Sequence, residues 1–320
     1  MRLIGDIGGT NARFALAMDG VLLETSIQVL KTAAFTSLLD AIKMFLQTRD
    51  ALQVDTIRIA IAGPVTGDRV EMTNANWNFS IRDLTQALQR DVLPALQSLR
   101  IINDFEAQAL ALPHLQPQHL TRIGPITDGD SDAQNGCKSV IGPGTGFGAA
   151  SIVALEGRHA VLASEGGHAS IGPQTEQELA VFDWLLRNRL PVTREELLSG
   201  PGLERLHRAL CAIDRRPVEK LSASAIVDAA HTGDINARAT LEIFCALLGT
   251  AARDQALICG ARGGIYISGG IVMHFVETFL HSQFRARFED SRAMADYLRK
   301  IPTYLISTPY AGLIGAANAG

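Results

Sequence analysis

Four short stretches combine residue types that can do chemistry. The first is GDIGGTN, residues 5–11, in which Gly5, Asp6, Ile7, Gly8, Gly9, Thr10 and Asn11 stand together. Backbone N–H groups reach a phosphate only where no side chain blocks them, so glycines suit a main chain that must approach closely. The cluster is not a Walker A loop, because no Gly-Lys-Ser/Thr follows. It also lacks the G-x-G-x-x-G spacing of a dinucleotide fingerprint. What remains is a β-hairpin turn with an acid just before it. There Thr10 and Asn11 can donate to phosphate oxygens, while Asp6 can hold Mg²⁺ through water. A plain tight hairpin with Asp6 as a solvated edge residue fits the same residues. The second stretch, GPGTGFG at 142–148, repeats the idea with Gly142, Gly144, Thr145 and Gly146. A further pair, Gly269-Gly270, precedes a helical pattern. Three such features together favour a nucleotide clamp.

Asn103-Asp104 forms the third stretch, at the carboxyl end of a short apolar run and before a helical one. Open α/β sheets put ligand chemistry at that position, although Asn and Asp are also favoured helix N-caps. The fourth, SEGGH at 164–168, sets Glu165 and His168 around two bare backbone units, a group able to hydrogen-bond several hydroxyls at once. An acidic turn with a surface histidine is its plainer alternative.

The elements that must position these residues follow from periodicity. Residues 2–6 and 12–18 form strands around the first glycine turn, and residues 139–141 and 149–155 do the same around the second. This is a weak internal repeat of strand, Gly/Thr turn, strand. Phe35, Leu38, Leu39, Ile42, Phe45 and Leu46 recur at helical spacing. Ile57, Ile59 and Ile61 alternate as a strand, residues 64–80 carry hairpin or loop signals, and Ser80 with Asp83 starts a helix. Residues 99–102 are a short buried strand, 105–112 a helix closed by Pro113, and 124–137 a polar exposed loop. Beyond residue 175 helices dominate, at 176–189, 222–231, 236–259 and 271–281, with one strand at 264–268. A strand at 301–307 leads to a final helix from Gly312, which needs a neighbour such as the N-terminal domain.

Bulk properties narrow the function. A chain of 320 residues is long enough for two cores. Net charge is −4, and no Lys/Arg run marks a nucleic-acid or membrane binder, so small molecules and other protein chains are the expected partners. Cys137, Cys211, Cys245 and Cys259 are scattered without C-x-x-C spacing, which argues for a reducing compartment and against a zinc knuckle. With no signal-peptide pattern and no apolar stretch of membrane-spanning length, the expected location is the cytoplasm.

Taken in order, GDIGGTNAR, AIAGPVTGD, MTNANW, IINDF, GPGTGFG, SEGGH, LLSGPGL, GGIYISGGI and IPTYLI resemble the bacterial glucokinase family, within the hexokinase–actin–Hsp70 fold group. The resemblance covers nearly the whole chain. GDIGGTN and GPGTGFG are shared with other sugar kinases, whereas IINDF with EGGH and LSGPGL is more specific. It implies an α/β, two-domain actin-like ATPase (ribonuclease H-like) fold. A small N-terminal α/β domain (1–103 plus 302–320) and a larger α+β domain (104–301) would flank a cleft. It also implies Asp104 as catalytic base, and Asn103, Asp104, Glu165, His168 and Glu195 as glucose-binding residues. Gly5 to Asn11 and Gly142 to Gly148 would cradle ATP phosphates, with Mg²⁺ at Asp6, and Gly269-Gly270 would approach the adenosine. Glu195 rests on a looser local match (TREELLSG), and Ser164 stands where the family commonly has Gly. The Cys-rich motif of zinc-containing sugar kinases is absent after His168, so no structural zinc is implied. The resemblance thus implies a glucokinase, a homodimer acting on glucose and ATP. A kinase for another hexose, a sugar-responsive regulator and a filament-forming protein are the alternatives.

Overall fold

The computed structural model describes residues 1–47, 54–72, 77–125, 136–217 and 220–320. Residues 73–76 of MTNANW, and 126–135 of the polar loop, lie outside the described residues. The chain divides into two compact units, Met1–Gln116 with Thr308–Gly320, and Pro117–Ser307. These boundaries fall C-terminal to the expected 103/104 and 301/302, which leaves Asp104 and its helix in the first unit.

In the first unit, β1 (Arg2–Ile7), β2 (Asn11–Met18), β3 (Val21–Lys31), β4 (Thr56–Ile61) and β7 (Ser98–Asn103) form one sheet in the order β3-β2-β1-β4-β7. The first three strands are antiparallel neighbours, and β1, β4 and β7 run parallel. Strand side chains alternate between faces. Leu3 accordingly joins one core with Phe14, Ile42, Phe45 and Ile57, under α1 (Leu38–Gln47) and α2 (Ile81–Asp91). Ile4 joins the other, with Leu313 and Ala316 of the C-terminal helix. Ser80 caps α2 by accepting from the Asp83 amide, as its spacing predicts. The hairpin expected within 64–80 is the pair β5 (Arg69–Glu71) and β6 (Asn78–Ser80).

Two helices complete the unit's second face. These are α3 (Asp104–Ala111) and α12 (Ala311–Ala317). A Cβ on Gly315 would overlap the Ala107 carbonyl, so glycine there lets the two backbones meet. The final helix therefore finds the neighbour it needs within the N-terminal unit.

The second unit repeats the strand plan. Its sheet runs β11 (Arg158–Ser164), β10 (Phe147–Leu155), β9 (Lys138–Pro143), β12 (Ile265–Ile267), β13 (Thr303–Ile306) and β8 (Leu120–Ile123). Again an antiparallel three-strand meander adjoins parallel strands, here β9, β12 and β13. The internal repeat thus extends from two strands to five. Helices α4 (Glu176–Arg187), α6 (Gly200–Ile213), α7 (Ala223–Thr232) and α8 (Ile235–Cys259) build its core around Phe244, Leu247 and Leu248.

One expected helix breaks. Residues 271–281 form a 3-10 turn, Val272–His274, and a separate short helix α9 (Val276–Leu280). Phe275 between them leaves helical geometry (φ −143°, ψ 43°) and packs edge-on against Phe244 at 6.0 Å. Gly269-Gly270 therefore leads into a 3-10 turn.

Candidate active site

In the first unit the register aligns three strand ends: Ile7 lies opposite Ile61, and Ile61 opposite Asn103. The glycine turn after β1, Gly63 after β4, and Asp104 after β7 therefore lie along one edge, the carboxyl edge where parallel sheets gather ligands. The turn is closed by Gly8 N–H donating to Asn11 O at 2.9 Å. The end of β3 supports it as well. The Thr32 amide donates to Thr10 O, and its hydroxyl donates to Gly8 O. Lys31 Nζ donates to Asn11 Oδ1 at 2.9 Å, so that oxygen already has a partner.

Asp6 sits at the end of β1 with its side chain 18% exposed, 3.4 Å from the Arg13 guanidinium. Desolvation holds its pKa above the ordinary carboxylate value, and the Arg13 charge opposes the shift without cancelling it. Gly312 backs the carboxylate, since a Cβ there would lie 2.8 Å from Asp6 Cγ. An acid with too little positive charge around it suits a cation.

Asn103 and Asp104 take different positions at the start of α3. Asn103 is the N-cap of α3: its Oδ1 accepts from the Phe105 and Glu106 amides at 2.8 and 3.2 Å, and its Nδ2 donates to Gly63 O at 3.0 Å. One amide hydrogen is left for a ligand. Asp104 is the first residue of the helix, half-buried, with Oδ1 near the Phe105 amide at 3.1 Å.

In the second unit four stretches converge on residues 143–147. The GPGTGFG turn is closed by Gly144 N–H to Gly146 O at 2.8 Å. Gly200, at the start of α6, donates its N–H to Gly144 O at 3.0 Å, and Ser199 caps that helix through the Gly202 amide. Gly269, in left-handed backbone at φ +107°, crosses so close to Pro143 that a Cβ would overlap its carbonyl. Gly167 of EGGH meets the Phe147 carbonyl in the same way. Glu195, on the short helix α5 (Arg194–Leu197), accepts the Phe147 amide on Oε2 at 2.9 Å. Glu165 and His168 bracket a 3-10 turn and are exposed. Ser164 fits without distortion, its hydroxyl donating to Ala149 O at 3.0 Å.

Gly142, Gly144, Thr145, Gly146, Glu165, His168, Glu195, Gly269 and Gly270 thus gather in one unit, and Asp6 and Asp104 share an edge of the other. Sequence reasoning missed Phe147, whose amide anchors Glu195, and Gly312. Neither offers a local signal, because each matters through a partner distant in the chain.

The glucokinase family model matches residues 3–320. The chain belongs to the glucokinase family. It is 42% identical to a protein named glucokinase from Caulobacter sp. (strain K31), over 99% of this chain and 94% of that one. It is also 42% identical to the "Bifunctional protein glk" of Burkholderia pseudomallei (strain 1710b), of whose length it spans 48%. Among solved structures, a glucokinase from an Antarctic psychrotroph is similar with a TM-score of 0.87 and 36% identity, over 99% of this chain and 97% of that one. A glucokinase of the ROK family from Streptomyces griseus, solved with glucose and AMPPNP, shares the fold at a TM-score of 0.61 and 21% identity, over 99% and 98% of the two chains. The fold is the two-domain actin-like ATPase fold that the resemblance implies.

Proposed function

We propose that this chain transfers the γ-phosphoryl group of ATP to the 6-hydroxyl of glucose, giving glucose 6-phosphate and ADP. The observation that carries the proposal is the meeting of Glu195, the EGGH turn and the GPGTGFG turn at Phe147, in a chain of the glucokinase family. The chemistry needs hydroxyl-binding carboxylates beside bare backbone amides, and that convergence supplies both.

In the proposed reaction the 6-hydroxyl oxygen bonds to the γ-phosphorus as the bond to the β-phosphate oxygen breaks. Asp104 takes the hydroxyl proton as general base. Glu165, His168 and Glu195 hold glucose hydroxyls, and Asn103 adds its remaining N–H. The glycine turns at Gly5–Thr10 and Gly142–Gly146 present N–H groups to ATP phosphates, with Gly269-Gly270 toward the adenosine. Mg²⁺ at Asp6 would neutralise phosphate charge when bound. Positioning supplies most of the acceleration, because phosphoryl transfer leaves little covalent work for the protein.

The same reading makes the protein a cytoplasmic homodimer. Its test is sugar phosphate formation from glucose, mannose, fructose and N-acetylglucosamine, with ATP and polyphosphate as donors. Glucose with ATP is expected to give the highest kcat/KM. A clear preference for another hexose would reassign the substrate, and no turnover with any sugar would overturn the kinase reading.

A further inference from the structure

Arg194 stands next to Glu195 in the chain, yet its side chain turns inward and is only 5% exposed. Its amide donates to Ala169 O at 2.9 Å, and its neighbour Thr193 bridges to Ser170 in antiparallel fashion. The segment that carries Glu195 is thereby stitched to the residues just after His168. The guanidinium then reaches the EGGH turn from inside. Its Nη1 lies 3.9 Å from the point where a Cβ on Gly166 would stand, and its Nη2 faces Asp254 Oδ2 of α8 at 3.7 Å. Its Nε is buried without a hydrogen-bond partner.

Such an arrangement is a poor stabilising device. A buried guanidinium with one long ion pair and an orphaned N–H costs more than an apolar side chain of similar shape. Asp254 is also shared, since Arg253 Nε lies 3.4 Å from its other oxygen. The placement suits a different purpose. A bare Gly-Gly backbone has no side chains of its own to hold it; the place of a Gly166 Cβ is walled by Ala149 Cβ at 3.0 Å and Ser164 Oγ at 3.4 Å, with Arg194 Nη1 next at 3.9 Å as the one charged group.

We propose that Arg194, oriented by Asp254, is a positioning residue for the turn that carries Glu165 and His168, and so sets the affinity for the sugar. It acts through the turn and touches no reacting atom. The inference rests on the proposal that this turn binds glucose.

The test compares Arg194→Met, Arg194→Lys, Asp254→Asn and the Met/Asn double variant with the parent chain. Arg194→Met is expected to raise the glucose KM about tenfold, while the ATP KM and kcat stay within about twofold. Asp254→Asn moves the same constant less, and the double variant is no worse than Arg194→Met alone, as for groups that act as a unit. Lysine keeps the charge but loses the planar fork, so rescue is partial. Hydrogen exchange at the amides of residues 165–169 should quicken in Arg194→Met, with those of α8 unchanged. An unaltered glucose KM and unaltered exchange would overturn the proposal. So would equal shifts of glucose KM, ATP KM and thermal stability, which mark a purely structural part. If Arg194→Met fails to fold, the half-exposed Asp254→Asn carries the same comparison. Failure of the parent chain to phosphorylate glucose would defeat the functional reading instead, and the exchange measurement would still decide the role of Arg194.

Discussion

The Phe147 amide donates to Glu195 Oε2 at 2.9 Å, and position 146 must be bare for the carboxylate to lie there, because a Cβ on Gly146 would overlap that oxygen. The atom in the way is the far end of a flexible side chain, so Gly146→Ala should fold and push Glu195 aside. A displacement of about an ångström can cost about a hundredfold. The expected result is a fall in kcat/KM for glucose of about 10- to 100-fold, with a thermal midpoint near that of the parent. Steady-state kinetics beside a melting curve reads both. Normal kinetics in Gly146→Ala would remove Glu195 from the sugar site.

Asn103 caps α3 and Asp104 opens it, so substitutions at the two should separate stability from turnover. Asp104→Asn leaves the Asn103 cap intact, so the melting temperature should hold while kcat drops about 10²- to 10⁴-fold. Asn103→Ala removes the cap and the tie to Gly63, and should cost about 1–2 kcal/mol of stability. Asn103→Ala should lower the melting temperature and raise the glucose KM, whereas Asp104→Asn should keep the melting temperature and lose kcat; thermal melts beside steady-state kinetics separate the two. Near-normal turnover in Asp104→Asn would show that the carboxylate is not the base.

Some of this architecture was legible because the signal is local. Ile57, Ile59 and Ile61 announce a buried strand by themselves, and each glycine turn is contiguous. The strands that escaped, β3, β8 and β11, each lie at an edge of a sheet: Glu24 and Thr25 are exposed in β3, Arg158 and His159 in β11, and β8 is only four residues long. Helix α6 opens on Gly-Pro-Gly, which reads as a turn, although Ser199 before a proline is an N-cap signal. Gly312 and Arg194 were silent for another reason. Asp6 lies 306 positions from the glycine that backs it and Asp254 lies 60 from its arginine, so only the folded chain shows either pairing.

Metal removal tests whether the reaction needs Mg²⁺. Chelation with EDTA should abolish activity, and added Mg²⁺ should restore it, since the phosphate charge needs a counter-ion. Zinc content of the purified protein should stay below about one atom per ten chains. Stoichiometric zinc would assign His168 or the cysteines to a metal.

Asp6 should also trade stability for function. Burial raises its folded pKa above the ordinary carboxylate value despite Arg13. An acid whose pKa is higher folded than unfolded contributes its full stability only below the unfolded pKa, and loses it as pH rises through the folded value. Burying Asp6 therefore weakens the fold at neutral pH relative to acid. Asp6→Asn should melt at a higher temperature than the parent at pH 7, and the advantage should shrink to nothing as pH falls below about 3.8. Arg13, 30% exposed, can keep its charge hydrated once the carboxylate is gone. If Asp6 anchors Mg²⁺ as proposed, the same substitution should lower kcat/KM by about a hundredfold or more. Mg²⁺ with ATP should raise the melting temperature of the parent more than that of the variant. Differential scanning calorimetry at pH 7 and pH 3.5, with and without Mg²⁺–ATP, covers each arm. A lower melting temperature for Asp6→Asn at pH 7 would mean that the Arg13 pair outweighs desolvation, and Asp6 would then be a structural ion-pair partner.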